Sequence, residues 1–418
     1  DYIAAAAARN LEILIILNYG NSLYGSGAPV TGEQLAAWAE YVRQVVSRYK
    51  DQVNYWEIWN EFSHGGGLSE QQKAWSLEEK AAAYFEILQV SYQIIKELDP
   101  DSTVIGFANA GIDLPFIQAV FALGGDAYMD AVSVHPYRHP RPPETSNLLE
   151  DLIAVKEFIG DKALWCTEMG WPTHRAGVDE ETQAAYLART YIMLLGTGFI
   201  DSVIWYDLQN DGTDPDEREH NFGLIDYHFN PKPGYWAYNV VTDVLLGATV
   251  TPQKQGEDGL WLYSFTTPEG DRGYALWAAE GVKTINLPEQ GTWLCYHISG
   301  EMQTLSSTKG GLSVVATANP VFLLPKAAEE PSQGKLLVAP NPLRAGEVLT
   351  IAYLDEPCRR LTATLYNLAG AQVASVQAQA GNVEISTGGL RRGAYLLQIT
   401  VETEGGTCST QRRLVLIL

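Results

Sequence analysis

The sequence predicts an α/β chain in three parts: a (β/α)8 barrel of the TIM type lacking its first two strands, an antiparallel β domain, and a small C-terminal β-sandwich. From Glu12 to about Leu246, six strand-like apolar runs alternate with helical stretches, and strict alternation of this kind argues for a parallel sheet covered by helices. After about Gly247 come shorter segments such as GLWLYSFTT, RGYALWAAE and TWLCYHIS; their apolar and polar residues alternate between Gly, Pro and charged turns, as in antiparallel sheets. A polar, aperiodic stretch, KAAEEPSQGK, then separates a last set of short strands. The expected domains are therefore 1–246 (barrel), 247–325 (β domain) and 335–418 (sandwich), with 326–334 as a linker.

The barrel strands are expected at EILIILNYG (12–20), VNYWEIWNE (53–61), STVIGFANAG (102–111), AVSVHPY (131–137), ALWCTEMGW (163–171) and SVIWYDL (202–208). Between them, residues 32–50 and 76–99 repeat apolar positions every three or four residues, the helical period. Six units make most of a barrel, so the chain is expected to start inside the fold, near the helix before the third strand. Asp1 in place of Met agrees with a fragment or a processed product.

Composition narrows the function. The chain has 418 residues, 46% of them hydrophobic, and can bury more than one core. No apolar run reaches the ~18 residues that a membrane-spanning helix needs. A net charge of −22 with only 28 Lys and Arg excludes a nucleic-acid partner. Cys166, Cys295, Cys358 and Cys408 show no metal or redox spacing; Cys358 and Cys408 share one segment and either pair or remain free thiols. No phosphate loop, metal cluster or Schiff-base lysine stands at a strand end, so no cofactor is expected. The acidic loop DLQNDGTDPDEREHN (207–221) reads as a solvated lid or, less simply, as a calcium site.

Barrel enzymes keep their chemistry at the carboxyl ends of the strands. Here those ends are Asn18-Tyr19, Asn60-Glu61, Asn109, His135-Pro136-Tyr137, Glu168 with Trp171, and Trp205-Tyr206-Asp207. Aromatic faces, amides, an imidazole and two acids suit a sugar: one acid protonates the glycosidic oxygen and a second carboxylate attacks the anomeric carbon or activates water. Strand alternation would put Glu57, Trp59 and Glu61 on one face. Glu61 is then terminal and reachable, while Glu57 lies deeper in a structural role, paired with a cation from the missing strands.

YWEIWNEF and LWCTEMGWPT resemble the acid/base and nucleophile strands of clan A glycoside hydrolases, and FGLIDYHFNPKPGYWAY resembles the end of family 39 and family 5-like barrels. The resemblance implies a retaining hydrolase of β-linked poly- or oligosaccharides. In it Glu61 is the acid/base, Glu168 the nucleophile, and Asn60 the amide that binds the sugar 2-hydroxyl. It further implies that His135 and Tyr137 line the central subsite and that Trp205 is an aromatic platform, with Asn18, Tyr19 and Trp171 as further substrate contacts. The family's strand-two Arg has no counterpart here. A non-catalytic carbohydrate-binding or scaffold protein on a truncated barrel is the alternative.

VAPNPLRAGEVLTI, ATLYNLAGAQVAS, GLRRGAYLLQI and RRLVLIL resemble the sorting domain of type IX secretion cargo over about residues 335–418. This implies the type IX machinery as a partner and a secreted or surface location, where disulfides are permitted. A generic carbohydrate-binding sandwich is the other reading of the segment.

Overall fold

The computed structural model describes residues 2–326 and, beyond them, 336–339, 341, 343–344, 346–353, 358–367, 371–379, 381–403 and 408–417. It forms two compact units, Asp1–Lys326 and Ala327–Leu418. The expected linker at 326–334 lies, apart from Lys326, outside the described residues.

In the first unit, β1 (Leu14–Leu17), β2 (Tyr55–Ile58), β3 (Thr103–Ala110), β4 (Ala131–His135), β5 (Ala163–Met169) and β6 (Ile200–Trp205) pair in chain order, all parallel. The helices are α1 (Tyr2–Ala7), α2 (Gly32–Tyr49), α3 (Glu70–Lys73), α4 (Leu77–Leu98), α5 (Leu114–Ala122), α6 (Leu148–Ile159), α7 (Glu180–Leu195) and α8 (Pro233–Leu245). A parallel sheet with helical crossovers in this order fits a partial TIM-like barrel. All five residues of β4 are buried, which explains why this strand reads as a continuous apolar run.

Local chemistry starts the crossover helices where the sequence pattern expects them. Thr31 with Gln34 and Ser76 with Glu79 form capping boxes that satisfy the first free N–H groups of α2 and α4. Asp179 caps α7, and Pro233 opens α8. The strands are shorter than expected at their carboxyl ends. β2 stops at Ile58 because Trp59 and Glu61 take positive φ (69° and 52°), which breaks the pleat.

Beyond the barrel strands, β7 (Thr249–Glu257), β8 (Leu260–Thr266), β9 (Arg272–Ala278), β10 (Lys283–Leu287), β11 (Thr292–His297), β12 (Met302–Ser306), β13 (Leu312–Ala316) and β14 (Val321–Pro325) form a six-stranded sheet, β12-β11-β14-β9-β8-β7, and the pair β10-β13. Trp261, Tyr263, Phe265, Trp277 and Phe322 of this region belong to the same apolar core as the barrel helices. Gly196, at the end of α7, lets the Tyr263 ring approach so closely that a Cβ there would sit 2.5 Å from it.

The second unit holds β15 (Leu336–Ala339), β16 (Val348–Tyr353), β17 (Cys358–Asn367), β18 (Gln372–Ala378), β19 (Asn382–Ser386), β20 (Gly393–Thr403) and β21 (Cys408–Ile417). They form sheets β15-β16-β19 and β18-β17-β20-β21, whose inward residues share one apolar cluster that includes Ile351, Leu365, Ile385 and Ile399. Cys166, Cys295 and Cys358 carry free thiols. Cys358 is thus unpaired, against the expected alternative of a bond to Cys408, whose own side chain lies outside the described residues.

Candidate active site

The ends of β2 to β6 and the loops after them enclose a cavity of about 590 Å³ lined by Asn60, Glu61, Tyr137 and Glu168 together with His64, His139, Tyr206, Arg218, Glu219 and Phe222. Glu61 enters it from a built turn. Its N–H donates to the Ala108 carbonyl at 2.8 Å, and its own carbonyl accepts from the N–H groups of His64 and Gly66. Ala108 can offer that carbonyl because β3 bulges between Gly106 and Asn109, with positive φ at Phe107 and Ala108. Tyr84 of α4 ties the bulge to β2: its hydroxyl donates to the Ile58 carbonyl and accepts the Phe107 N–H. Gly66 is required over the turn, since a Cβ there would meet the Asn60 carbonyl at 2.3 Å.

Beneath the two acids lies His135, fully buried at the end of β4. Its Nδ1 is 3.2 Å from Glu61 Oε1 and 3.4 Å from Glu168 Oε2. The Tyr137 hydroxyl donates to Glu168 Oε2 at 3.0 Å. One ligand atom from each of Glu61, His135 and Glu168 lies within 4.8 Å of the others, so the two carboxylates share one small space. Burial pulls the His135 pKa down, but the surrounding carboxylates of Glu61, Glu168 and Glu57 outweigh it and leave the imidazole above its ordinary value. Burial pushes Glu168 up, against the opposing pull of His135 and the Tyr137 hydroxyl.

Glu57 is fully buried, as the deeper position predicts, and its Oε2 has no hydrogen-bond partner among the described residues, while the cation expected from the missing strands lies outside this chain. Oε1 accepts from the Thr167 hydroxyl at 2.8 Å. Burial raises its pKa, moderated by His135 and by the Ser133 and Thr167 hydroxyls. One buried imidazole thus faces three glutamates.

Several expected substrate contacts lie elsewhere. His135 sits under the cavity rather than in its lining. Trp205 and Trp171 are buried, stacked on each other with ring centroids 6.0 Å apart, and Trp171 Nε1 donates to the Arg141 carbonyl. Trp205 is the last residue of β6, and its neighbour Tyr206 faces the cavity instead, as strand alternation requires. Asn18 and Tyr19 line an adjacent cavity of about 390 Å³ with Tyr24, Trp38 and Tyr41. Tyr19 still reaches the main site, because its hydroxyl accepts from Asn60 Nδ2 at 3.0 Å.

His64, His139, Arg218, Glu219 and Phe222 were not anticipated, since loop residues carry no periodic signal. A weak one existed for Arg218 and Glu219, which belong to the acidic 207–221 loop. Among the described residues, the acids of that loop do not assemble three ligand atoms for a cation; Glu61, His135 and Glu168 are the group that does. These three could hold a metal, but His135 Nδ1 is engaged with Glu61, an arrangement suited to proton transfer and charge stabilisation.

Residues 337–415 match the family model for the secretion system C-terminal sorting domain. A search of curated proteins finds no match. Among solved structures, a family 39 glycoside hydrolase from the gut symbiont Bacteroides cellulosilyticus WH2 is similar at a TM-score of 0.67 and 27% identity, over 78% of this chain and 70% of its own. The bacterial orthologue of human α-L-iduronidase follows the same fold at a TM-score of 0.55 and 14% identity, over 96% and 85%. SrfJ from Salmonella typhimurium does so at 0.51 and 13%, over 73% and 65%. The chain thus carries the sorting domain that marks proteins exported by type IX secretion to the cell surface or outside, joined to a unit with the fold of a family 39 glycoside hydrolase.

Proposed function

We propose that the protein is a retaining glycoside hydrolase acting on β-linked poly- or oligosaccharides. The observation that carries this is the facing pair Glu61 and Glu168, with oxygens within 4.8 Å. Retaining enzymes hold their two carboxyl groups about 5–5.5 Å apart, whereas inverting ones leave about 6.5–9.5 Å for a water molecule. Glu168 attacks the anomeric carbon as Glu61 protonates the leaving oxygen, giving a glycosyl ester on Glu168. Glu61 then takes a proton from water as it attacks the ester-bound carbon and frees the sugar. His135 compensates the charge of whichever glutamate is ionised, and the Tyr137 hydroxyl orients Glu168. Asn60 Nδ2 faces Tyr19 and its Oδ1 has no partner, which leaves an acceptor for a sugar hydroxyl.

In the same reading the six parallel strands are the third to eighth of an eight-stranded barrel, residues 1–246, the region 247–325 is an accessory β domain, and 335–418 is a sandwich engaged by the type IX machinery. The test is a panel of aryl β-glycosides followed by azide rescue of Glu168→Gly. Azide is expected to return activity and to give a glycosyl azide of inverted configuration. A wild-type enzyme that cleaves a substrate for which the variant forms no such azide would remove Glu168 as nucleophile.

A further inference from the structure

A buried ionic cluster joins the strands of residues 249–325 to the loop after β4. Glu144 and Arg189 form an ion pair at 3.1 Å with 2% and 4% of their side-chain surfaces exposed. The same Glu144 oxygen accepts from the indole N–H of Trp277 on β9 at 2.6 Å. Arg189, on α7, spends its other N–H groups on the Ala318 carbonyl between β13 and β14. Trp277 is fixed in turn by parallel stacking on Trp261 and Tyr263, with centroids 5.6 and 5.7 Å away.

Glu144 belongs to the loop of residues 136–147, which presents Tyr137 and His139 to the cavity. That loop is held at its near end by the Tyr137 hydroxyl on Glu168 and midway by Trp171 on the Arg141 carbonyl. Its far end is held by Glu144. A buried ion pair sharing an indole donor is a costly device to place on a surface loop, and its position makes sense where a loop must be kept still.

We propose that the antiparallel strands of residues 249–325 are a working part of the cleft, and that Glu144 is a positioning residue through which they hold the loop that sets Tyr137 against Glu168. The proposal rests on the hydrolase reading for its kinetic consequence, but its structural consequence can be read without turnover. Glu144→Ala in the full chain should accelerate amide hydrogen exchange across 136–147 while leaving β2, β3 and β5 protected. It should also lower kcat/KM by roughly ten- to a hundredfold, the scale of a small misplacement at a reacting centre. The acid limb of the pH profile should move upward, and Tyr137→Phe should move it the same way, because the hydroxyl favours the ionised form of Glu168. The other titratable groups facing Glu168, namely His135, Glu61, Glu57, Glu219, Tyr206 and Cys166, are unchanged in both variants.

Glu144→Gln keeps the oxygen that accepts from Trp277 and Arg189 but removes the charge that pairs with Arg189, so it should recover part of all three measures. If Glu144→Ala does not fold, Trp277→Phe removes the indole donor and retains a stacked ring, and the same shifts are expected. Folded variants with unchanged loop exchange would overturn the proposal, as would lost stability with an unmoved acid limb in an enzyme that responds to Tyr137→Phe. If no glycoside is cleaved by the wild type, the hydrolase reading fails, and the exchange measurement still decides whether the clamp exists.

Discussion

Replacing His135 with Gln removes the titratable base that the structure sets beneath the paired acids. His135 lies 3.4 Å from Glu168 and 3.2 Å from Glu61, and it also interacts with Glu57. At 3.4 Å and an effective dielectric constant of about 20, a full charge pair is worth about 5 kcal/mol, which caps the effect at about 3.5 pH units. Glu168 keeps 20% of its side chain exposed, and water there reduces the expected effect to about one to three pH units. The direction follows from the charge: His135 favours the ionised form of Glu168, so its loss raises the pH at which the nucleophile ionises. The assay is kcat/KM against pH on an activated aryl β-glycoside. The acid limb should move up by that amount, and raising the pH should recover part of the activity lost at neutrality. A folded variant whose limb stays in place would refute His135 as the charge partner of Glu168.

Glu61→Ala should slow hydrolysis of substrates with poor leaving groups by about 10²–10⁴, the usual contribution of general acid catalysis, and slow activated aryl glycosides far less; equal losses across leaving groups would remove Glu61 as the acid. Thermal unfolding should fall in midpoint as pH rises from 5 to 8. The raised His135 pKa gives stability that is complete below about 6.5 and lost through its folded value, while Glu57 and Glu168, also raised, hold protons that the unfolded chain releases. His135→Gln should flatten the upper part of that slope, as read by calorimetry. Trp205→Ala should cost roughly 3–5 kcal/mol in denaturant unfolding, the range for a buried large aromatic. Tyr206→Ala should instead raise KM with little change in stability, and the opposite pattern would return the sugar platform to Trp205.

The parallel sheet was legible because strands buried on both faces must be apolar runs, and VNYWEIWNE and AVSVHPY are such runs. The two acids were legible because carboxylates at the ends of such strands are costly unless used. What the pattern could not supply was the path of the chain after each strand stops. Alternation would have carried Glu61 to the Glu57 face, yet the left-handed turn at Trp59 and Glu61 is what delivers it to the cleft. That turn depends on the Ala108 carbonyl of a bulge and on Tyr84 of a helix, 47 and 23 residues further along the chain. Trp171 and Trp205 misled for a related reason: an aromatic side chain at a strand end serves the core or the cavity according to which way one residue faces.

The partners of Glu57 within this chain are neutral hydroxyls and one imidazole. A buried carboxylate raises the expectation of an arginine or lysine, because an isolated buried charge is expensive. Within this chain that cost is met only in part, by a histidine shared among Glu57, Glu61 and Glu168 and by neutral hydroxyls from Ser133, Thr167 and Tyr137, while Glu57 Oε2 keeps no partner among the described residues. Burial pushes both Glu57 and Glu168 up, and the imidazole and the hydroxyls pull them back toward ionisation. Because His135 is the largest influence opposing burial at Glu168 and also touches Glu61, its substitution is the most direct probe of the proposed site.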